Sequence, residues 1–213
     1  MADVTIHGSP FSTYVRTARM ACVEKGASYE LAEADLKADD YVRLHPFRKM
    51  PVLQHGDLTI YETSAIARYI DETFSGGPAL VPDTAAGRAL MEQWVSTINA
   101  YLYPTLIRGI VFERIVAPMM GGQANEDTIK AALPEAERQL KLIDAHMAEH
   151  KWLAGDDCTI ADLMLAPVMF YVSNTPEGKA ILGGCANIQR AGGEMFARKS
   201  FAETMPPMPQ AAE

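Results

Sequence analysis

Hydrophobic and polar positions near the start of the chain switch from a strand period to a helix period. Residues 4–7, VTIH, read as a short strand that Gly8 and Pro10 end. Small and apolar side chains then recur at helical spacing through residues 12–25, and Gly26 follows them. The pattern therefore predicts a strand followed directly by a helix.

Residues 29–75 continue the alternation. A second strand is predicted over 29–34. Residues 51–54 and 58–61 read as a hairpin around the turn HGD. Residues 63–74 read as a helix. The order strand, helix, strand, hairpin, helix predicts a small mixed sheet with helices packed on it.

Glycine and proline mark the clearest boundary, SGGP at 75–78 through PD at 82–83. Beyond it the pattern is helical throughout. We therefore predict an α/β domain over residues 1–76, a linker over 77–84 and an all-helical domain over 85–213.

Three long helices are predicted after the boundary, at 84–118, 126–150 and 160–172. Thr159 with Asp162 three residues on is typical of a helix start. The last residues, 205–213, hold three prolines and are predicted to be a loose tail.

The composition narrows the class of protein. Of 213 residues, 48% are hydrophobic and 22% charged, which favours a folded globular chain. A net charge of −8 disfavours nucleic acid and anionic membranes as partners.

The sequence shows no pattern typical of a targeting signal, a membrane span or a metal site. The chain has no apolar run near the roughly 18 residues that a membrane span needs and no signal peptide at its start. Cys22, Cys158 and Cys185 form no CxxC pair, which disfavours a zinc site or a disulfide framework. We predict a cytoplasmic protein without a metal.

The turn SPFS, residues 9–12, lies between the first strand and the first helix. A helix amino end stabilises an anion and lowers the pKa of a thiol held there. Dithiol oxidoreductases of the thioredoxin and glutaredoxin type carry Cys-Pro-x-Cys at such a turn, whereas this chain has serine at both cysteine positions. It cannot cycle a disulfide there, but it can act on the thiol of another molecule. A simple helix cap at Ser12 remains the alternative.

Three further segments have candidate chemistry. Pro51, at the start of a strand, is a candidate for a cis peptide bond that would turn the Met50 backbone toward a ligand. Glu62 and Thr63, at the start of a helix, suit an amino-acid head group. A basic cluster would attract a small anion; its members are Lys37, Arg43, His45, Arg48 and Lys49. The structural alternatives are, in the same order, an ordinary trans proline, a plain helix cap and a solvated loop.

Together these segments resemble the glutathione transferase superfamily, most closely its phi-like and related bacterial members. The resemblance rests on HGSPFSTYVRTARMACVEKG, HPFRKMPVL, GDLTIYETSAIARYID and LAGDDCTIADLMLAP, in that order along nearly the whole chain. It implies a thioredoxin-like α/β domain followed by an all-α domain. It also implies glutathione as co-substrate.

The resemblance implies a role for each matching residue. Ser12 would donate a hydrogen bond to the glutathione sulfur, and the Met50 backbone would pair with the cysteinyl unit. Glu62 and Thr63 would hold the γ-glutamyl group, and Lys49 would face the glycine carboxylate. Asp162 would be a buried structural cap. The full glutathione-binding set is Phe11, Lys37, Lys49, Met50, Pro51, Glu62 and Thr63.

The chain departs from the family pattern at two places. The segment 37–45 is shorter than its counterpart in phi-type members. Lys37, Arg43 or His45 would therefore replace the glutathione contacts that the second helix usually makes. Arg48 stands where glycine is usual and adds charge at the pocket rim. Other classes use a different serine or a tyrosine, so Ser9 and Tyr14 remain alternatives to Ser12.

The second substrate would be a small electrophile, bound between the domains. The candidate pocket residues are Phe112, Met119, Met120, Phe170 and Tyr171, and Phe11 is a further candidate. Plain core packing is the alternative role for each of them.

The resemblance also implies a homodimer, in which the third helix of one chain packs against the fourth of the other. Arg68, Arg88 and Glu92 would pair across this contact or be plain surface charges.

A glutathione transferase that attacks an electrophile is the function predicted. Two alternatives stay open. One is a non-catalytic glutathione- or protein-binding module on the same fold. The other is a glutathione-dependent peroxidase, lyase or dehalogenase.

Overall fold

The structure, a computed structural model, describes residues 2–207 and divides into two units. The first unit runs as far as Val81 and also takes in the chain from Phe196 onward. The second unit spans Pro82–Met195.

A four-stranded mixed sheet forms the centre of the first unit. Its strands are β1 (Val4–His7), β2 (Tyr29–Ala32), β3 (Val52–His55) and β4 (Leu58–Tyr61), in the order β2-β1-β3-β4. β1 and β2 are parallel, and the other two pairs are antiparallel. The predicted small mixed sheet is therefore confirmed.

Two helices bury their apolar stripes in the first unit: α1 (Thr13–Glu24) and α2 (Thr63–Thr73). Ile6 and Leu53 face each other across β1 and β3, and both are fully buried. Val15 from α1 and Ile66 and Ile70 from α2 complete this core. A short 3₁₀ turn, Tyr41–Arg43, lies between β2 and β3.

The end of the described chain packs on α1. Helix α9 (Lys199–Glu203) brings Phe201 over the Arg16 guanidinium, 4.0 Å from its carbon to the ring centre. Arg16 also donates to the Phe201 carbonyl at 3.0 Å and contacts the Met205 sulfur at 3.0 Å. At the other end of α1, the Glu24 carboxylate accepts hydrogen bonds from Nε and Nη2 of Arg198, at 2.8 and 2.6 Å.

This packing corrects the predicted loose tail at its beginning. Met205 contacts buried Arg16, and Pro206 is itself buried. The contact forms because α1 offers a buried cation that needs polar and aromatic partners at this face. The rest of the predicted tail, residues 208–213, lies outside the described residues.

The second unit is helical. The long helix predicted over 84–118 is present, with its middle wound as a π-helix that contains Pro104. The helices at 126–150 and 160–172 are also present as predicted. The elements are α3 (Ala85–Thr97), the π-helical segment Ile98–Val116, α4 (Ala117–Met119), α5 (Glu126–Glu149), α6 (Ile160–Val172), α7 (Pro176–Leu182) and α8 (Ala186–Phe196). Among residues 2–207, no helix has both the length and the apolar character needed to cross a bilayer.

Helix α6 is the central element of the second unit. Residues 160–168 are all buried, as expected of a helix that is apolar around its whole circumference. Its start is fixed by Asp162, which accepts from the Leu153 N–H at 2.9 Å and the Thr159 N–H at 2.8 Å. Burial raises the pKa of Asp162, against the hydrogen bonds that favour its charged form. The predicted capping role of Asp162 is confirmed.

Replacing Asp162 with alanine is expected to destabilise the protein by about 3 kcal/mol, because two buried backbone N–H groups lose their acceptor. Urea unfolding followed by circular dichroism measures the change. Asp127→Ala is the matched control: Asp127 is an exposed carboxylate in the first turn of α5, and its loss should cost under about 1 kcal/mol. Equal effects of the two substitutions would contradict the capping account.

Candidate active site

Four chain segments meet at one end of the sheet because the strands stop in the same row. Ala32 pairs with His7, His7 with Val52, and Val52 with Tyr61. The turn after β1, the loop after β2, the residues before β3 and the start of α2 all adjoin this row. A direct contact joins two of them, since the Ser9 N–H lies 3.3 Å from the Met50 sulfur.

Ser12 is the cap of α1. Its backbone is extended and its hydroxyl oxygen accepts the Val15 N–H at a long 3.4 Å. The Ser12 N–H closes the preceding turn by donating to the Ser9 carbonyl at 3.1 Å. Within residues 2–207, no acceptor takes the Ser12 hydroxyl proton. The half-buried hydroxyl therefore lies at the positive end of a helix and retains a proton to donate.

The two alternatives to Ser12 lie close by in the chain. The Ser9 hydroxyl accepts the Phe11 N–H at 3.4 Å, within the turn that precedes α1. Tyr14 is half-buried in the first turn of α1. Ser12 alone of the three caps the helix.

The peptide bond between Met50 and Pro51 is cis, which confirms the candidate cis bond and excludes the trans alternative. Pro51 is buried, and Met50 is half-buried ahead of β3, whose pairing with β1 begins at Val52. Among residues 2–207, no backbone partner engages the N–H or the carbonyl of Met50. These groups remain available to a peptide-like ligand.

Helix α2 begins without a side-chain cap. Glu62 occupies the cap position, makes no capping hydrogen bond and has a left-handed backbone with φ 74°. Its carboxylate is exposed, while Thr63 is buried. An uncapped helix start beside a free carboxylate can bind an ammonium and a carboxylate together.

The predicted basic cluster divides into exposed and engaged members. Lys37, Arg43 and Lys49 are exposed. Arg48 donates to backbone carbonyls of residues 36–38 rather than only adding charge at a rim. Sequence reasoning missed this internal role, although a charged side chain in place of a usual glycine was a signal for it.

His45, the remaining member of the cluster, is only 2% exposed. Its ring packs on Tyr61 with centroids 4.7 Å apart, and its Nδ1 accepts the Phe47 N–H at 3.3 Å. Burial lowers the pKa of His45; nearby Glu62 opposes that effect and Lys49 adds to it. A buried, neutral imidazole is poorly placed to replace a lysine as a contact for an anion.

Most candidates for the second-substrate pocket present apolar surface. Phe112, Met119 and Met120 are 42%, 56% and 77% exposed, whereas Phe170 is 8% exposed and packs on half-buried Tyr171. Phe11, in the turn before α1, is 41% exposed.

A separate cleft of about 530 Å³ lies within the second unit, lined by α3, the π-helical segment and α5. Trp94, Tyr101, Leu142 and His146 are among its walls, and none of the predicted pocket residues is. No group of His, Cys, Asp or Glu side chains within residues 2–207 is arranged to hold a metal ion.

Comparison with known proteins gives the same assignment for both units. Residues 6–90 match the family described as "Glutathione S-transferase, N-terminal domain", and residues 104–190 match "Glutathione S-transferase, C-terminal domain".

Individual relatives span almost the same length. Glutathione S-transferase F10 of Arabidopsis thaliana is 35% identical, over 84% of this chain and 85% of its own. Glutathione S-transferase 3 of Zea mays is 29% identical, over 98% and 96%. Among solved structures, glutathione S-transferase III in its apo form is 30% identical with a TM-score of 0.88, covering 98% of this chain and 100% of that one.

The fold and the site define a protein with a thioredoxin-like domain, a serine-capped helix at the sheet end and a helical second domain. The chain belongs to the glutathione S-transferase family. The predicted fold class and transferase activity are confirmed, and the plant relatives fit the predicted phi-like membership.

The pKa of His45 leads to a prediction about stability against pH. An unfolded imidazole titrates near pH 6.5 and the folded one at lower pH, so the unfolded chain takes up more protons as the pH falls. The stability from neutral His45 is therefore complete above pH 6.5 and declines below it. Urea titrations between pH 7.5 and 5 should show the stability gap between wild type and His45→Gln shrinking toward acid. A gap that does not change with pH would contradict this account.

Proposed function

We propose that the chain binds glutathione at the sheet end of its first unit and ionises the thiol with the Ser12 hydroxyl and the amino end of α1. The observation that carries this proposal is the Ser12 hydroxyl, which caps a helix while its proton stays unused among residues 2–207. Family membership supports glutathione as the ligand.

The same sheet end has a group for each part of glutathione. The backbone of Met50 pairs with the cysteinyl unit, which presents the sulfur to Ser12. Glu62 accepts the γ-glutamyl ammonium, and the uncapped start of α2 at Thr63 receives the adjacent carboxylate. Lys49 is exposed beside Met50 and attracts the glycine carboxylate.

The electrostatics are sufficient without a strong base. A free thiol has a pKa of about 8.5, and a reduction of about two units requires about 2.7 kcal/mol. A hydrogen bond to a charged group supplies about 1.5–3 kcal/mol, and a helix end about 1 kcal/mol more. The serine hydroxyl therefore acts as a hydrogen-bond donor and is not the nucleophile.

The thiolate then attacks an electrophilic, mostly apolar second substrate. A sulfur–carbon bond forms from the sulfur lone pair, and the electrophile's leaving group departs with its bonding electrons. Exposed Phe112, Met119 and Met120 are the proposed apolar lining on the helical unit, because methionine adapts to varied shapes. Phe170, which is buried, is better assigned to the core.

Ser12→Ala is expected to lower kcat/KM about 10–100-fold at neutral pH, measured with glutathione and an aryl halide, because the thiolate loses its hydrogen-bond donor. Loss of the cap should also cost about 1 kcal/mol of stability.

Thr84→Ala is the matched control for that substitution. Thr84 caps α3 by accepting the Gly87 N–H at 3.0 Å, so its loss should lower stability similarly and leave kcat/KM unchanged. If Ser12→Ala retained wild-type kcat/KM, the proposed role of Ser12 would be wrong.

The active form is proposed to be a homodimer built on α2 of one chain and α3 of the other, which carry Arg68 and Arg88 and are the third and fourth helices of the sequence prediction. Exposed Leu90 on α3 offers apolar surface for such a contact. Arg68 pairs with Glu72 of its own helix at 3.0 Å, and Arg88 donates to the Asp83 carbonyl at 2.7 Å. Because both arginines already have partners within their own chain, the predicted charge pairing across the dimer contributes less to the contact than the apolar surface.

Sedimentation equilibrium at micromolar concentration should give twice the 23.3 kDa chain mass. Leu90→Asp should shift the mass toward that of one chain, because a buried charge opposes the contact. A wild-type mass of one chain would refute the dimer.

A further inference from the structure

Arg48 has an unfavourable backbone conformation. Its φ is 49°, in the left-handed region that side chains with a Cβ adopt at a cost and glycine adopts freely. A strained non-glycine residue beside a binding site persists when its side chain makes compensating contacts.

The guanidinium of Arg48 makes such contacts with the loop that follows β2. Its Nη1 donates to the carbonyl oxygens of Leu36, Lys37 and Ala38 at 3.3, 3.1 and 2.9 Å. Its Nη2 lies 3.7 Å from the exposed Asp39 carboxylate. One cation thus gathers three successive carbonyls, and hydrogen bonds from charged donors are among the stronger ones in proteins.

Further hydrogen bonds fix the same loop. The hydroxyl of buried Tyr41 donates to the Lys49 carbonyl at 2.8 Å. The Lys37 N–H donates to the Asp35 carboxylate at 2.9 Å, which shapes the turn before the clamped carbonyls. The backbones of Lys37 and Lys49 are therefore both fixed, while both side chains are exposed.

We propose that Arg48 is a positioning residue that determines recognition of the glycine carboxylate of glutathione. It holds residues 36–38 so that the Lys37 ammonium meets the carboxylate together with that of Lys49. This inference rests on the proposed function. A loop already ordered before binding saves the ordering cost that the ligand would otherwise offset.

The test compares two ligands by isothermal titration calorimetry: glutathione and γ-glutamylcysteine, which lacks the glycine. Arg48→Ala should weaken glutathione binding about five- to tenfold and change γ-glutamylcysteine binding less than twofold. With glutathione and an aryl halide, KM for glutathione should rise while kcat stays within twofold, because Ser12 is untouched.

Arg48→Gly separates positioning from stability. Glycine accepts the left-handed backbone, so this variant should be at least as stable as Arg48→Ala in thermal unfolding. Its loss of glutathione affinity should nevertheless be equally large, because both variants lose the clamp. Wild-type affinity in Arg48→Gly, or an equal loss for both ligands in either variant, would overturn the inference.

The route through Lys37 is tested by a double-mutant cycle. If Arg48 acts through Lys37, then Arg48→Ala should cost little further glutathione affinity in a Lys37→Ala background. Fully additive losses would overturn this step. Failure of the wild type to bind either ligand would contradict the proposed function itself, whereas normal wild-type binding with unaffected Arg48 variants would contradict only the inference.

Discussion

The row of paired residues Ala32, His7, Val52 and Tyr61 is the constraint on which the site depends. Each candidate group belongs to a segment that leaves or enters a strand at this row. A shift of register by one residue would turn every strand side chain to the opposite face and separate the segments. Ile6 and Leu53, fully buried opposite each other, hold that register because a shift would expose both.

The helix that begins at this row is fixed at both of its ends. Ser12 and the preceding turn define its amino end, and Arg16, one turn later, is buried against Phe201. At its carboxyl end, Glu24 binds Arg198. The effect of the α1 dipole on a ligand depends on how firmly α1 is held in its orientation. Helix α9 packs on α1, so it contributes to the electrostatics at the Ser12 turn although it lies near the other end of the chain.

The sequence predicted the elements of the fold well because their signals are local. Val4–His7, Leu58–Tyr61 and Ile160–Val172 have the predicted limits, and each is bounded by turn or cap residues that the sequence shows directly. The packing of α9 on α1 was not predictable from pattern, since it joins Arg16 to Phe201 across most of the chain. The proline content favoured a loose tail from residue 205 onward, just after α9 ends.

In the candidate site too, residues in local motifs were predictable and long-range contacts were not. Ser12, Met50, Glu62 and their neighbours follow from the family motif and lie at adjoining strand ends. Arg48 shows what motif comparison leaves out. A departure from glycine predicts an added charge, whereas only the structure shows that the charge is used to hold three carbonyls of a neighbouring loop. The burial of His45 was equally unpredictable from the sequence, because a histidine in a loop of basic residues is expected to be exposed.

The central claim is that a helix end and one hydroxyl keep the glutathione sulfur ionised. Ultraviolet titration of the thiolate in the wild-type complex with glutathione tests it most directly. The bound thiol should ionise with a pKa about two units below the value of about 8.5 for a free thiol. A bound thiol that titrates like free glutathione would contradict it.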